Sequence, residues 1–458
     1  MPETMFKTWV CSMCGYIHYG PEPPDECPVC GASKDQFMLS TEEEMSPAIE
    51  TPSVTVNKAV VVGAGIAGVS AAETIRKFAP QADITLISAE THLPYYRLNL
   101  TRYLAGEIHA DQLSLHPEIW YNIHNIRLLR NTAAQALDLG NKDLILSDES
   151  RILFDRLVLT TGSRPFVPPF PGANRKNVTT LRTRQDADYL LDACQGNRKC
   201  VCIGGGLLGL ETAGALARRG VEVTVLENQA WLLPRQLNET ASKRFQTLVQ
   251  ARGIAVRTKV TIRELAGDEA VHGVLLDDGT TLPADVVVIS AGVRSNTDLA
   301  RQAGLEVKQG ILVDSTMKTS HPDVFAAGDA AECRGMLYGL WVPSQVQGTV
   351  AGMNAAGQVS EFTEIPRSAT LKVLGIQLFN IGVISPDAAT DRVFETEIDG
   401  NYYFFVFRDS LLVGSILLGD TALSNKIKKV AEERQDCSGW LQKGYDAGYI
   451  VNTIKGVS

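Results

Sequence analysis

KAVVVGAGIAGVSAAETIRKF, residues 58–78, decides the fold. It opens on an apolar run with no polar alternation, the pattern of a strand buried on both faces. The run meets Gly63-Ala-Gly65-Ile-Ala-Gly68, and an Ala-rich helical stretch follows. In such a turn the first Gly makes the bend, the second admits a pyrophosphate, and the third lets helix and strand pack closely. The helix N-terminus then faces the phosphates. A second apolar run, ADITLIS (residues 82–88), completes a strand–helix–strand unit. Glu90, just past it, can hydrogen-bond an adenosine ribose.

The pattern recurs about 140 residues on. RKCVCIGGGLLGLETAGALARRG (198–220) and VEVTVLE (221–227) repeat strand, turn, helix and strand. Gly204, Gly206 and Gly209 take the three glycine positions, and Glu227 ends the second strand. A carboxylate there accepts from a ribose 2′-OH and repels a 2′-phosphate, which predicts NADH over NADPH. Arg218 and Arg219 read as a solvated helix face, and Cys200 and Cys202, alternating in a buried strand, as small core hydrophobes. RLVLTTGSRP, ADVVVISAGVRSN and DVFAAGDAAE each run from an apolar strand into a Gly. Beyond residue 362, NYYFFVFRDSLLVGSILLG (401–419) has the β-branched and aromatic content of a hairpin, and helical segments close the chain.

The first tenth is different. Cys11 and Cys14, then Cys27 and Cys30, form two CxxC knuckles, each followed by Gly. Two intervening residues let one tight turn aim both sulfurs at one ion. Two knuckles give four-thiolate tetrahedral ligation, which suits zinc or iron. Residues 41–56, TEEEMSPAIETPSVTV, are acidic, contain two Pro and lack aromatics, so they are expected to form a flexible linker.

The fold class expected is therefore α/β. Two Rossmann-like dinucleotide-binding domains and a C-terminal α+β domain follow a small four-cysteine metal domain. The boundaries expected are 1–40 for the metal domain, 41–56 for the linker, 57–165 with 286–362 for the first dinucleotide domain, 166–285 for the second, and 363–458 for the C-terminal domain.

Composition narrows the function. The net charge of −9 argues against nucleic acid as the main partner. Residues 1–50 carry two Lys and nine Asp or Glu, a net of −7, so most of the excess sits there. No apolar stretch approaches the roughly 18–20 residues of a membrane span. The N-terminus lacks the basic and apolar regions of a secretory signal. A cytoplasmic protein, whose clustered cysteines bind metal rather than form disulfides, is expected.

WVCSMCGYIHYG and PDECPVCGAS resemble rubredoxin, in the short form found at the end of rubrerythrins. That resemblance implies one redox-active iron on Cys11, Cys14, Cys27 and Cys30, with Trp9, Tyr16 and Phe37 packed around it. The paired dinucleotide folds, with TTGSRP (160–165) and VFAAGDAAE, resemble the two-dinucleotide flavoprotein reductases over about residues 57–380. LPYYRLNLTRYLAGE (93–107) and LKVLGIQLF (371–379) look most like NADH:rubredoxin reductases and the flavin part of assimilatory nitrite reductases. The resemblance implies FAD at the first site, with Asp329 on its ribityl chain, Arg97 against it, and Thr161 and Gly162 at the domain junction. It sets Arg102 where relatives carry a flavin-adjacent Lys, and Glu211 near the nicotinamide. Ser295 departs from the usual Pro of this segment.

Disulfide reductases of this superfamily carry CxxxxC on their first helices, and peroxidase relatives one Cys near the flavin. Residues 97–101 contain none, nor does the helix after Gly68. The flavin then needs another exit for its electrons. The function expected is an NADH-dependent flavoprotein reductase that passes electrons through FAD to a fused iron centre and on to an acceptor protein. In related systems acceptors are diiron peroxide or oxygen reductases and superoxide reductase. No side-chain acid, base or nucleophile is required. The alternative is a flavoprotein oxidase or reductase whose four-cysteine domain is a zinc-bound docking module.

Overall fold

A computed structural model describes residues 7–11, 16–27, 32–40, 56–363, 368–387, 389–441 and 446–456. The expected linker thus lies almost wholly outside the described residues, as do Cys14 and Cys30.

The N-terminal domain is a three-stranded antiparallel sheet with Lys7–Cys11 between Ile17–Gly20 and Phe37–Ser40. Its buried apolar cluster is Cys11, Cys27 and Phe37, with Trp9, Tyr16 and Ala32 packed against it. A core this small cannot stabilise some 35 residues unaided, which is why such domains need a metal or cross-links.

The first dinucleotide domain centres on a five-stranded parallel sheet. Its order is Val324–Ala326, Arg156–Leu159, Lys58–Val62, Asp83–Ile87, Ile126–Leu129. Helix Ile66–Phe78 lies against helix Trp341–Ala355. Small residues make that approach possible: a Cβ on Gly348 would fall 2.2 Å from the Ala67 carbonyl oxygen, and one on Gly352 would fall 2.6 Å from that of Ala71.

The second domain repeats the design with the order Val178–Thr179, Val286–Ile289, Lys199–Ile203, Glu222–Leu226, Ala255–Arg257. This corrects the expected boundary at residue 286. Strand Val286–Ile289 pairs in parallel with Lys199–Ile203, so it belongs to the second domain. The chain returns to the first domain where Val293–Ser295 pairs antiparallel with Ser163–Pro165. Cys200 and Cys202 are buried in the second sheet, as expected.

The C-terminal domain is a five-stranded antiparallel sheet followed by helices Ser424–Glu432 and Ala447–Lys455. The hairpin of Asn401–Arg408 and Leu411–Leu418 lies within it. Antiparallel sheets commonly leave one face wet; here both faces are covered. Tyr403, Phe405 and Phe407 face the two helices, whereas Tyr402, Phe404 and Val406 join the core of the second dinucleotide domain. Each fully buried side chain of this size contributes roughly 1.5–3 kcal/mol, so the alternation fuses the two domains. Among the described residues no helix is long and apolar enough to cross a membrane.

Candidate active site

The two glycine turns have the same geometry. Gly63 and Gly204 adopt φ of 104° and 114°, which side-chain-bearing residues rarely reach. A Cβ on Gly68 would fall 1.9 Å from the Gly63 carbonyl oxygen, and one on Gly209 would fall 2.0 Å from that of Gly204. Helix and strand could not pack with any side chain there. Gly65 and Gly206, by contrast, face open space. Each is the N-cap of a helix of twelve or thirteen residues with no side-chain cap, so first-turn N–H groups remain available to phosphate oxygens.

Around the first turn the polar side chains are tightly cross-linked. Both Glu90 oxygens are engaged: Arg97 Nη2 lies 2.6 Å from Oε1, and Tyr95 donates to Oε2 at 2.7 Å. Arg97 also donates to the Tyr95 hydroxyl and to the Arg182 carbonyl. Asp329 Oδ2 accepts from Ser163 at 2.8 Å and from Arg182 at 3.0 Å. Ser295, where relatives have Pro, donates to the Asp329 backbone carbonyl at 2.6 Å. Gln347 accepts from Gly328 N–H at 2.9 Å, and its own Nε2 is buried without a partner. Asn99 Oδ1 is likewise a buried orphan beside this cradle. These unpaired polar atoms fit a cofactor that would supply the missing partners.

The second turn is bound mainly by backbone. Glu227 accepts from Gly205 N–H through Oε2 and from Gln229 N–H through Oε1, both at 2.7 Å. Ser290 Oγ, beside Gly204 and Gly209, is a buried orphan. Thr161 and Asn296 clasp the domain junction: the Thr161 hydroxyl donates to the Asn296 carbonyl at 2.7 Å, and Asn296 Nδ2 donates to the Thr161 carbonyl at 2.9 Å.

Glu211 stands on the helix that opens at the second turn. It keeps part of its surface open yet sits deep among protein atoms, and that desolvation pushes its carboxyl up to about 7. Its partner is Thr101, which donates to Oε2 at 3.2 Å. The Arg102 guanidinium turns to Glu107 at 3.2 Å and to Glu26 of the N-terminal domain at 3.8 Å. Arg218 and Arg219 are exposed, as expected of a solvated face, and reach from it to Glu107 and to the Leu104 carbonyl.

The N-terminal domain sits against this cradle. Its two knuckles are closed alike: Cys11 N–H donates to the Tyr16 carbonyl at 2.8 Å, and Cys27 N–H to that of Ala32 at 2.6 Å. Both sulfurs are buried, with the aromatics expected around them. Tyr16 meets Tyr96 edge-on at 5.7 Å and hydrogen-bonds to it. On its other side Tyr96 lies 5.6 Å from the Trp341 ring. Burial first, then Tyr16, Glu73 and Cys27, raise the Tyr96 phenol well above its ordinary range. Tyr96 directly precedes Arg97, so the knuckle abuts the first cradle. Gln36 adds a hydrogen bond from Asn425 of the C-terminal domain. Tyr96 and Trp341, like Ser163, Arg182 and Gln347, were not singled out in the sequence. Only their neighbours in the motifs hinted at them.

Residues 57–355 match the family described as pyridine nucleotide-disulphide oxidoreductase, and the chain belongs to that family of FAD- and NAD(H)-dependent flavoproteins. Within it the chain has a particular build: residues 9–38 match the rubrerythrin rubredoxin-like domain, and residues 368–435 the C-terminal domain of rubredoxin NAD+ reductase. It is 36% identical over 384 residues to nitrite reductase (NAD(P)H) of Bacillus subtilis strain 168, covering 83% of this chain and 48% of that protein. It is 32% identical over 382 residues to the assimilatory nitrate reductase electron transfer subunit of the same organism, covering 83% of this chain and 50% of that protein. The chain thus spans about half the length of these two relatives. It is 30% identical over 375 residues to the NADH-rubredoxin oxidoreductase of Clostridium acetobutylicum, covering 82% of this chain and 94% of that protein. Among solved structures, the covalent putidaredoxin reductase–putidaredoxin complex superposes with a TM-score of 0.77 at 28% identity, covering 87% of this chain and 99% of that one. The C. acetobutylicum NADH:rubredoxin oxidoreductase superposes with a TM-score of 0.73 at 27% identity, with the same coverage.

Proposed function

We propose that this chain is an NADH-dependent reductase that delivers electrons, through FAD, to its own N-terminal iron centre and from there to an acceptor protein. The carrying observation is Tyr96. One flank of its ring meets Tyr16 of the knuckle domain, and the other meets Trp341 at the start of helix Trp341–Ala355. FAD, when bound, would supply the chemistry that no side chain here can, two-electron exchange with NADH and one-electron exchange with a single iron that the acceptor reoxidises between electrons.

The chain's own residues orient and shield. Gly65 and Gly206 open the phosphate seats, Asp329 and Arg97 wall the first cradle, and Glu227 faces the adenosine ribose of NADH. Tyr96 and Trp341 cover the edge between cradle and knuckle with aromatic surface. Cys11 and Cys27, with Cys14 and Cys30 implied by the motif, would hold the iron. The knuckle spacing suits either metal; the rubredoxin-like flanks and family match support iron over zinc. The acceptor is a redox protein able to take one electron at a time.

The test is metal analysis with absorption spectra before and after NADH. One iron per chain, coloured when oxidised and bleached by NADH, is expected. Stoichiometric zinc in protein from iron-replete cells defeats the proposal. Deleting residues 1–55 should leave FAD bound and reducible by NADH, while reduction of a protein acceptor falls until free rubredoxin is added.

A further inference from the structure

Arg102 stands where related reductases are expected to carry a flavin-adjacent Lys, yet its charge is used elsewhere. Nη2 lies 3.8 Å from Glu26 Oε2 and Nε 3.2 Å from Glu107 Oε2. The other Glu107 oxygen is paired with Arg218, the last residue of the helix that begins at the second glycine turn. Four alternating charges thus run from that helix, across the short helix Leu100–Leu104, to Glu26. Glu26 directly precedes Cys27.

We propose that Arg102 is a docking residue: through Glu26 it latches the chain's own knuckle domain over the flavin cradle, and breaking that one ion pair frees the domain to meet its acceptor. The inference rests on the electron-transfer reading above, because only a carrier that must visit two sites needs a latch that opens.

The chemistry of the contact fits a reversible hold. The side chains of Arg102 and Glu26 are 30% and 47% exposed, so solvent screens their attraction and the pair is weak. Among the described residues the contact also includes the Tyr16–Tyr96 edge with its hydrogen bond, and the Gln36–Asn425 hydrogen bond. A weak contact suffices because the domain is covalently attached. Tethering sets an effective concentration of order millimolar, so a contact with a millimolar dissociation constant is closed about half the time. Glu107 makes opening inexpensive, because it keeps Arg102 paired when Glu26 leaves. The occupant's charge also matches. Residues 1–50 are net −7, so a basic side chain at the cradle mouth attracts the whole domain and not one carboxylate alone.

The test uses the full chain carrying FAD and iron. Small-angle scattering and amide hydrogen exchange over residues 7–40 report closure, and stopped-flow bleaching by NADH reports delivery to the iron. Raising NaCl from 0.05 to 1 M shortens the screening length from about 14 Å to about 3 Å. This should enlarge the radius of gyration, speed exchange, and slow bleaching about fivefold, equivalent to ~1 kcal/mol. Arg102→Glu at low salt should do the same and lose most of its salt response. The charge swap Arg102→Glu with Glu26→Arg should restore closure and rate. Dye reduction by NADH in Glu26→Arg should equal that of the natural chain, showing that the flavin is intact. If salt and Arg102→Glu leave scattering and exchange unchanged, or the swap fails to restore closure, Arg102 is not the latch. If closure responds as expected but NADH never bleaches the metal, the latch stands and the electron-transfer reading falls.

Discussion

The two glycine turns share a backbone and differ in what surrounds it. Both bend at a positive-φ glycine, both need a third glycine under a carbonyl, and both leave the middle position open. At the first turn, side chains from four separate stretches are cross-linked: Glu90 with Tyr95 and Arg97, then Ser163, Arg182 and Asp329. At the second, the one acidic side chain is held by two backbone N–H groups, and no ion pair of Glu227 occurs among the described residues. The glycine turn makes a phosphate seat; its rim determines how long a ligand stays. A cross-linked rim orders its donors in advance and suits a resident cofactor, whereas a rim of backbone donors suits one that exchanges every turnover.

Breaking the first rim should have the largest effect. Asp329→Ala removes the carboxylate that holds Arg182 and Ser163 and strands a partly buried guanidinium, at a cost of roughly 2–3 kcal/mol. Flavin retention after gel filtration should fall about thirty- to a hundredfold in apparent affinity, while the nicotinamide site is unaffected. If Asp329→Ala keeps its flavin and Glu227→Ala loses it, the contrast between the rims is reversed.

The second rim should respond in specificity rather than retention. The natural chain should use NADH at least about tenfold more efficiently than NADPH, since a 2′-phosphate beside a carboxylate costs upwards of ~1.4 kcal/mol. Glu227→Ala should narrow that ratio of kcat/KM toward unity. It also leaves two N–H groups without acceptors, a further ~1–2 kcal/mol of lost stability, visible as a lower Tm. Equal use of the two nucleotides by the natural chain would refute the role given to Glu227.

A smaller effect is expected at Ser295. Its hydroxyl bond to the Asp329 carbonyl is a single neutral hydrogen bond, worth about 1 kcal/mol. Ser295→Ala should weaken flavin retention about fivefold at most, in the same assay as Asp329→Ala and in the same direction.

What the sequence made legible follows from where the constraint is local. The three roles of each glycine triplet are backbone roles, so they read directly from spacing, and the structure has the expected geometry at Gly63 and Gly68 and at Gly204 and Gly209. The hairpin over 401–419 was equally plain, because its strands are buried on both faces and so are rich in aromatic and aliphatic residues. The rims were not legible. Arg182 reaches Asp329 across 147 residues, and Tyr96 meets Tyr16 across 80; nothing local marks either pair. The partners of Arg102 were hidden for a related reason: a family position fixes where the backbone goes, but Glu26 and Glu107 decide where the guanidinium goes. The boundary at 286 failed because two parallel sheets are built from identical apolar runs, and only pairing shows which sheet Val286–Ile289 joins.

Glu211 is where the two turns meet, since it stands on the second-turn helix and receives the Thr101 hydroxyl from beside the first cradle. Its carboxyl is pushed up to about 7 from 4.5, with desolvation outweighing the hydrogen bond from Thr101. The sign follows. Between these values the folded chain holds a proton that the unfolded chain has released. Stability from this group is therefore complete below about pH 4.5 and lost as pH rises through about 7. Glu211→Gln, neutral at every pH, should remove that slope, so its Tm should exceed that of the natural chain by more at pH 8 than at pH 5. The same ionisation should mark catalysis. A single charge appearing on a cleft wall and screened by solvent alters a rate by about two- to fivefold, or ~0.5–1 kcal/mol. Flavin reduction by NADH, followed in single turnovers across pH 5.5–8.5, should show an inflection of that size near 7 that Glu211→Gln abolishes. An inflection that survives in the Gln variant would assign it to another group and leave Glu211 a structural acid joining the two halves.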